Sequence, residues 1–164
     1  NFLNKQITNY LVKANQLSLP VDDRKLLAAL FHVVNDIERI GDHAENMADF
    51  ATSMIEKNLT FSKTAENEIR EMLSKTDTLL KYSLEMFEKR NEEHLKEILA
   101  IENSIDEMEK KFQQNHVIRL TKGECDAEAG MLFTDMVSNL ERVADHATNI
   151  AFSILSGKKE NEGA

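Results

Sequence analysis

The sequence has little of what breaks helices or crosslinks chains. Its 164 residues include one proline, five glycines, one cysteine and no tryptophan, and many are Leu, Ile, Ala, Glu or Lys. Few breakers among strong helix formers indicate an all-α protein. The single cysteine, Cys125, excludes an internal disulfide and fits a reducing compartment. No run of about 18 apolar residues and no signal peptide is visible, so the sequence predicts no direct membrane insertion.

Positive charge is also in short supply. The chain has 20 Lys and Arg against 29 Asp and Glu, which gives a formal net charge of −9. A surface this acidic repels nucleic acid and anionic lipid, so we expect neither as a direct partner. The same surface suits the binding of cations.

Breakers and capping residues divide the chain into five predicted helices. Their apolar residues alternate at spacings of three and four, which is typical of left-handed, coiled-coil-like packing. We expect Asp22 or Asp23 to cap the second helix. The first residues already follow helical spacing, so the chain is expected to be an excised fragment. The predicted helices cover about residues 2–16, 22–57, 62–89, 92–119 and 125–156.

These helices predict two bundles of unequal completeness. Residues 61–157 contain three helices and are predicted to form a complete three-helix bundle. Residues 1–60 contain two helices and are predicted to form part of another. Residues 158–164 are polar and are predicted to be a disordered tail.

A twelve-residue segment occurs twice, at an offset of 103 residues. Residues 37–48 (IERIGDHAENMA) and 140–151 (LERVADHATNIA) are identical at seven of the twelve positions. The Glu, Arg, Asp, His and Asn residues all return in register. A repeat at fixed offset indicates one supersecondary unit used twice, and the retained polar residues suggest two equivalent sites.

Three pairs of carboxylates stand four residues apart on predicted helices. Like charges at this spacing repel each other by about 0.2–0.5 kcal/mol on an exposed helix. Either a bound cation or the arginine within each repeat offsets the repulsion, and the spacing alone leaves both readings open. Oxygen ligands without thiolates suit iron, manganese, magnesium or calcium better than a structural zinc. The pairs are Glu38 with Asp42, Glu102 with Asp106, and Glu141 with Asp145.

Histidines and catalytic motifs give no indication of an enzyme. His43 and His146 directly follow the repeated aspartates, and adjacent residues point about 100° apart on a helix. We therefore expect capping or interhelical hydrogen bonds from them rather than metal ligation. The Glu-x-x-His spacing of di-iron bundles is absent. We find no glycine-rich phosphate loop, no nucleophile elbow and no plausible Cys–His pair, and the remaining histidines are expected to have ordinary structural roles.

The repeated segments Glu38-Arg39-Ile40-Gly41-Asp42-His43 and Glu141-Arg142-Val143-Ala144-Asp145-His146 closely resemble the paired motif of the PhoU family. That resemblance implies tandem three-helix bundles, the first truncated at its N-terminus, each with a Glu/Asp-x-x-x-Asp motif. It also implies carboxylate sites for iron, zinc or manganese. The implied ligands are Glu38, Asp42, Glu102, Asp106, Glu141 and Asp145, with Asn46, Asn149 and Asp135 as supports.

The same resemblance implies a non-enzymatic regulatory domain in phosphate transport and homeostasis. Its expected partner is a phosphate transporter membrane domain or a transporter/sensor complex, at the cytoplasmic face of the plasma membrane. Residues 11–45 also look like the cytosolic C-terminal domain of bacterial sodium/phosphate cotransporter-family proteins. The alternative is a structural interaction or dimerisation module whose charged motifs are salt bridges. An incomplete first bundle leaves apolar surface uncovered, so a homo-oligomer is expected.

Overall fold

The computed structural model describes residues 2–155 of the chain, and all regular structure in that range is helical. This confirms the predicted all-α class, while the predicted tail at 158–164 lies outside the described residues. None of these helices has both the length and the apolar character needed to cross a bilayer. The five helices are α1 (Phe2–Asn15), α2 (Val21–Glu56), α3 (Lys63–Lys89), α4 (Leu95–Thr121) and α5 (Ala127–Ser153).

Two of the helices start with an N-cap residue whose side chain accepts backbone hydrogen bonds. Asp126 accepts hydrogen bonds from the backbone N–H groups of Glu128 and Ala129 at the start of α5, and Ser62 accepts one from Ala65 at the start of α3. Both caps satisfy N–H groups that lack an intrahelical partner.

Two predicted helix starts were wrong. Pro20, and neither Asp22 nor Asp23, occupies the N-cap of α2, and the two aspartates lie inside its first turn. Proline is well suited to a helix start because its φ is fixed. Helix α4 begins at Leu95 rather than near residue 92, because Arg90 takes a left-handed conformation with φ of 52° and a turn follows it.

The main core lies among α3, α4 and α5. Helix α3 contributes Met72, Leu79 and Met86 at seven-residue spacing, all fully buried. Most of the predicted apolar stripes of α4 and α5 are buried against them. Helix α5 is the central element because it packs against α2, α3 and α4. The division into two bundles at residue 60 stays a prediction.

Helix α2 has less cover than α5. It packs against α5 and α1, and Val33 is its only fully buried residue within the described part of the chain. Equivalent positions of the repeat show the difference, because Ile37 is 51% exposed while Leu140 is 3% exposed. The apolar stripe of α2 therefore contacts α5 along one edge and faces solvent along the other.

Candidate functional site

Carboxylates from α4 and α5 meet on one side of the second bundle. Glu102 and Asp106 lie one turn apart on α4, and Asp145 of α5 faces them. Their carboxylate oxygens include a set that lies within 4.8 Å of one another. Spacing of four residues puts the first two on one helix face, and the packing of α4 against α5 supplies the third.

Glu141 belongs to the same cluster electrostatically. Partial burial, followed by the charges of Asp145, Glu109 and Asp106, raises its pKa from 4.5 to about 7. Arg142 lowers this pKa, but it is the weakest of the contributions. Arg142 of the repeat therefore lowers the pKa of Glu141 by less than burial and the neighbouring carboxylates raise it.

The pKa values of two other members are raised for the same physical reasons. Partial burial and then the charges of Asp106 and Asp145 raise the pKa of Glu102. Partial burial and then Asp106 raise the pKa of Asp145, while His146, Glu141 and Arg142 lower it. Neighbouring carboxylates that disfavour one another's ionised form gain from a cation, so the donor set fits a metal with oxygen ligands.

One residue of this cluster was missed in the sequence. Glu109 lies on α4 one turn beyond Asp106, and its Oε1 accepts hydrogen bonds from Ser138 Oγ at 2.9 Å and Gln113 Nε2 at 3.1 Å. These bonds hold the Glu109 carboxylate beside α5. Glu109 is three residues from Asp106, and side chains at this spacing also share a helix face. The prediction considered only carboxylates four residues apart and therefore did not include Glu109.

The first copy of the motif has different surroundings. Glu38 accepts a hydrogen bond from Asn4 Nδ2 of α1, and Asp42 is exposed. Within residues 2–155, these two carboxylates join no group of three candidate ligand atoms. The structure thus brings the predicted ligands of α4 and α5 together, but not Glu38 and Asp42.

The repeated histidines join α2 to α5 in a reciprocal way. His43 Nδ1 lies 2.7 Å from Asn139 Oδ1, and His146 Nδ1 lies 2.9 Å from Asp36 Oδ1. Asp36 and Asn139 are themselves equivalent positions, 103 residues apart. The two rings stack with centroids 5.7 Å apart. The expected interhelical hydrogen bonds are confirmed, and they relate the two copies of the motif by an approximate twofold axis.

Two of the three predicted supporting residues have other contacts. Asn46 Nδ2 donates a hydrogen bond to Asn139 Oδ1, and the main-chain carbonyl of Asp135 accepts one from Asn139 Nδ2. Asn149 is exposed. In these contacts Asn46 and Asp135 support the α2–α5 interface rather than the carboxylate cluster.

A second group of candidate ligands lies where α3 meets α4. Glu85, Glu93 and His94 bring three ligand atoms within 4.8 Å of one another. The His94 ring stacks on Tyr82 at 4.2 Å. A hydrogen bond from Lys89 is the largest cause that lowers the pKa of Glu85. Because a lysine already compensates this carboxylate, the group is a weaker metal candidate than the α4–α5 cluster.

The structure also contains a Cys–His pair, although the sequence predicts none. Cys125 Sγ lies 3.9 Å from His116 Nδ1. The two residues are nine positions apart, and the turn between α4 and α5 folds the cysteine back beside the last turns of α4. No regular helical spacing signals a contact across a turn, which is why the pair was missed.

Comparison with known proteins agrees with this architecture. The family model of the PhoU domain matches residues 1–51 and 69–154. The chain is 29% identical over 131 residues to the phosphate-specific transport system accessory protein PhoU homolog 1 of Thermotoga maritima, which covers 78% of the chain and 56% of that relative. It is 24% identical over 162 residues to the phosphate-specific transport system accessory protein PhoU homolog of Clostridium acetobutylicum, which covers 96% of the chain and 73% of the relative.

A similarly named homolog of Synechocystis is 29% identical over 149 residues, covering 88% of the chain and 64% of the relative. The chain thus spans about half to three quarters of the length of these relatives. Matches of the family model to both copies of the repeat, together with the five-helix architecture, establish the classification. The chain belongs to the PhoU domain family.

Proposed function

We propose that this chain is a non-enzymatic regulatory module of phosphate transport whose α4–α5 carboxylate cluster binds a divalent cation. The regulatory half is supported by membership of the PhoU domain family and by the names of its relatives, which are accessory proteins of phosphate-specific transport systems. Its partner is the cytoplasmic part of a phosphate transporter or of a transporter/sensor complex.

The observation that carries the cation half is the meeting of three carboxylates from two helices. Glu102, Asp106 and Asp145 bring oxygens within 4.8 Å of one another. Glu141, whose pKa is raised to about 7, lies one turn from Asp145 and extends the set. Carboxylate oxygens bind manganese and ferrous iron well, and borderline zinc also accepts them. A cation here would relieve the mutual repulsion and crosslink α4 to α5.

This crosslink connects the site to the rest of the molecule. Helix α5 also contacts α2, through the reciprocal histidine contacts. A bound cation fixes α5 against α4 and thereby fixes the surface on which α2 rests. Cation occupancy then changes the rigidity of the surface offered to the transport partner.

A purely structural interaction module is the second candidate function. The exposed side of α2 favours it, because Ile37 and the small residues Ala44 and Ala48 face solvent there. In this candidate the carboxylate cluster plays no part, so cation binding distinguishes the two.

The test is elemental analysis of purified protein together with calorimetric titration of Mn²⁺ and Zn²⁺ into metal-free protein. We expect stoichiometric binding in the wild type and at least about a tenfold loss of affinity in an Asp106→Asn/Asp145→Asn double variant. Asp42→Asn is the matched control, since it removes the equivalent aspartate of the first repeat, and it retains the binding. Equal binding by the wild type and the double variant would show that the α4–α5 cluster is not the site.

The regulatory half is tested separately by phosphate uptake in cells that produce the protein from its own gene. If the cation acts in regulation, the double variant changes uptake under phosphate limitation and Asp42→Asn does not. If the purified protein binds the cation but deletion of its gene leaves phosphate uptake unchanged, the regulatory role alone is contradicted.

A further inference from the structure

The turn between α4 and α5 holds a thiol in unusual surroundings. Cys125 is partly buried and directly precedes Asp126, the N-cap of α5. This position lies beside the N-terminal backbone N–H groups of α5. His116 Nδ1, 3.9 Å from the sulfur, is positioned to accept its proton.

A small cavity lies beside this thiol. Cys125, His116, Arg119, Gly130 and Phe133 are among the residues that line it. Its volume is about 10 Å³, which is room for one water-sized atom. A phosphate ion or an organic ligand does not fit in this space, whereas a single oxygen atom does.

Arg119 supplies the cavity with a hydrogen-bond donor. Its side chain is 9% exposed, and its Nη1 lies 2.9 Å from Glu68 Oε2. The guanidinium carbon lies 5.0 Å from the centroid of the Phe133 ring. Its Nη2 is buried and has no hydrogen-bond partner among the described residues. A buried N–H group without an acceptor is costly, so this donor favours an oxygen in the cavity.

We propose that Cys125 is a site of oxidation by hydrogen peroxide, and that the oxygen of the resulting sulfenic acid accepts a hydrogen bond from Arg119 Nη2. The cavity is large enough for that oxygen, and the residues Cys125 and Arg119 both line it. These 164 residues contain no second cysteine with which the product could form a disulfide, so its reduction within this chain requires an external thiol.

The reaction balances with the groups present and one peroxide molecule. His116 Nδ1 takes the thiol proton, and the sulfur then attacks one peroxide oxygen. The S–O bond forms as the O–O bond breaks, sulfur is oxidised and peroxide is reduced. The proton joins the departing hydroxide to give water. Burial, and next the charge of Arg119, lower the pKa of His116, which keeps its ring neutral and able to accept the proton.

The first experiment measures the rate of sulfenic acid formation with hydrogen peroxide, trapped by dimedone and read by intact mass. The same protein unfolded in urea is the reference, because it keeps the cysteine and loses the cavity. We expect the folded chain to react at least about tenfold faster. Equal rates, or a faster unfolded chain, would overturn the proposal.

A pair of glycine variants tests the role of His116 without changing a polar residue. A Cβ at Gly130 falls 2.2 Å from His116 Cε1, so Gly130→Ala forces the ring away, whereas a Cβ at Gly41 meets nothing within 4 Å. We expect Gly130→Ala to slow oxidation at least about tenfold and Gly41→Ala to leave it unchanged. Unchanged oxidation in Gly130→Ala, with a confirmed displacement of the ring by NMR, would exclude His116 as the base.

Arg119→Lys tests the acceptor site through the lifetime of the product rather than its rate of formation. Lysine keeps a positive charge for Glu68 but loses the forked second donor. We expect the sulfenic acid of this variant to be reduced by added thiol several-fold faster than that of the wild type. Equal lifetimes in a folded variant would show that Arg119 does not hold the oxygen, and an unfolded variant leaves the glycine pair to decide the proposal.

Discussion

At the scale of single residues, two glutamates with the same sequence context have different surroundings. Glu141 lies opposite Asp106 and Glu109 of α4, which help to raise its pKa to about 7. Glu38, its equivalent in the first repeat, lies opposite Asn4 of α1 and accepts a hydrogen bond from it. The two copies of the motif therefore share the glutamate, while the neighbouring helix determines which groups surround its carboxylate.

The raised pKa of Glu141 predicts a pH dependence of stability in metal-free protein. Its folded pKa of about 7 lies above the reference value of 4.5, so the folded state binds more protons between these values. The free energy of unfolding should therefore fall as pH rises through this window and stay low above it. Because Glu141 is partly exposed, solvent screening limits the difference to about 1 kcal/mol.

Urea unfolding of chelator-treated protein at about pH 5 and about pH 8 measures this effect. Glu141→Gln should flatten the pH dependence and be more stable than the wild type at the higher pH. Glu38→Gln, in the equivalent position, should keep the wild-type pH dependence. The same curve for the wild type and Glu141→Gln would refute the assignment.

The sequence was sufficient to predict some residues of the candidate sites but not others. The four-residue spacing identified Glu102, Asp106 and Asp145, because helical geometry alone decides which residues share a face. Glu109 and the contact of Cys125 with His116 depend on how helices and turns pack, which spacing does not encode. Whether the predicted ligands hold a metal stays a prediction.

At the scale of helices, interiors were easier to predict than ends. The stripes of α4 and α5 follow apolar spacing, and packing buries most of their members. The ends depend on local conformations with few sequence signals, such as the left-handed Arg90 and the uncapped start of α2 after Pro20. Arginine rarely adopts the left-handed backbone conformation, so the residue type at position 90 gave no indication that α4 starts late.

Equivalent positions of α2 and α5 predict unequal costs of truncation. Leu140 is 3% exposed and Ile37 is 51% exposed. Leu140→Ala should lower the free energy of unfolding by about 2–5 kcal/mol, because it leaves a cavity in the core of the second bundle. Ile37→Ala should change it by about 0.5 kcal/mol at low protein concentration. Urea denaturation of both variants measures the contrast, and equal losses would show that α2 is covered as well as α5.

At the scale of the whole molecule, apolar side chains are unevenly covered. Helix α5 is packed against three helices and α2 against two. Large apolar residues of α1 are exposed, among them Phe2, Leu3 and Tyr10, and Ile37 of α2 is exposed as well. Surfaces of this kind favour association.

We predict that this chain forms a dimer or a higher oligomer at micromolar concentration through the exposed side of α2. Ile37→Lys should shift the equilibrium towards monomer, because it introduces a charge that the interface would bury. Ser74→Lys, on the exposed face of α3, is the matched control and should leave association unchanged. Sedimentation velocity gives the distribution, and a monomeric wild type would rule out this interface.

The dependence of α2 on α5 also affects the order in which the protein is made. Helix α2 leaves the ribosome first, but the segment that pairs with it lies 103 residues further along the chain. At about 5–20 residues per second, synthesis of that segment takes roughly 5–20 s. During this interval the apolar stripe of α2 lacks the cover that α5 provides, so the nascent chain presents a binding site for chaperones until α5 emerges.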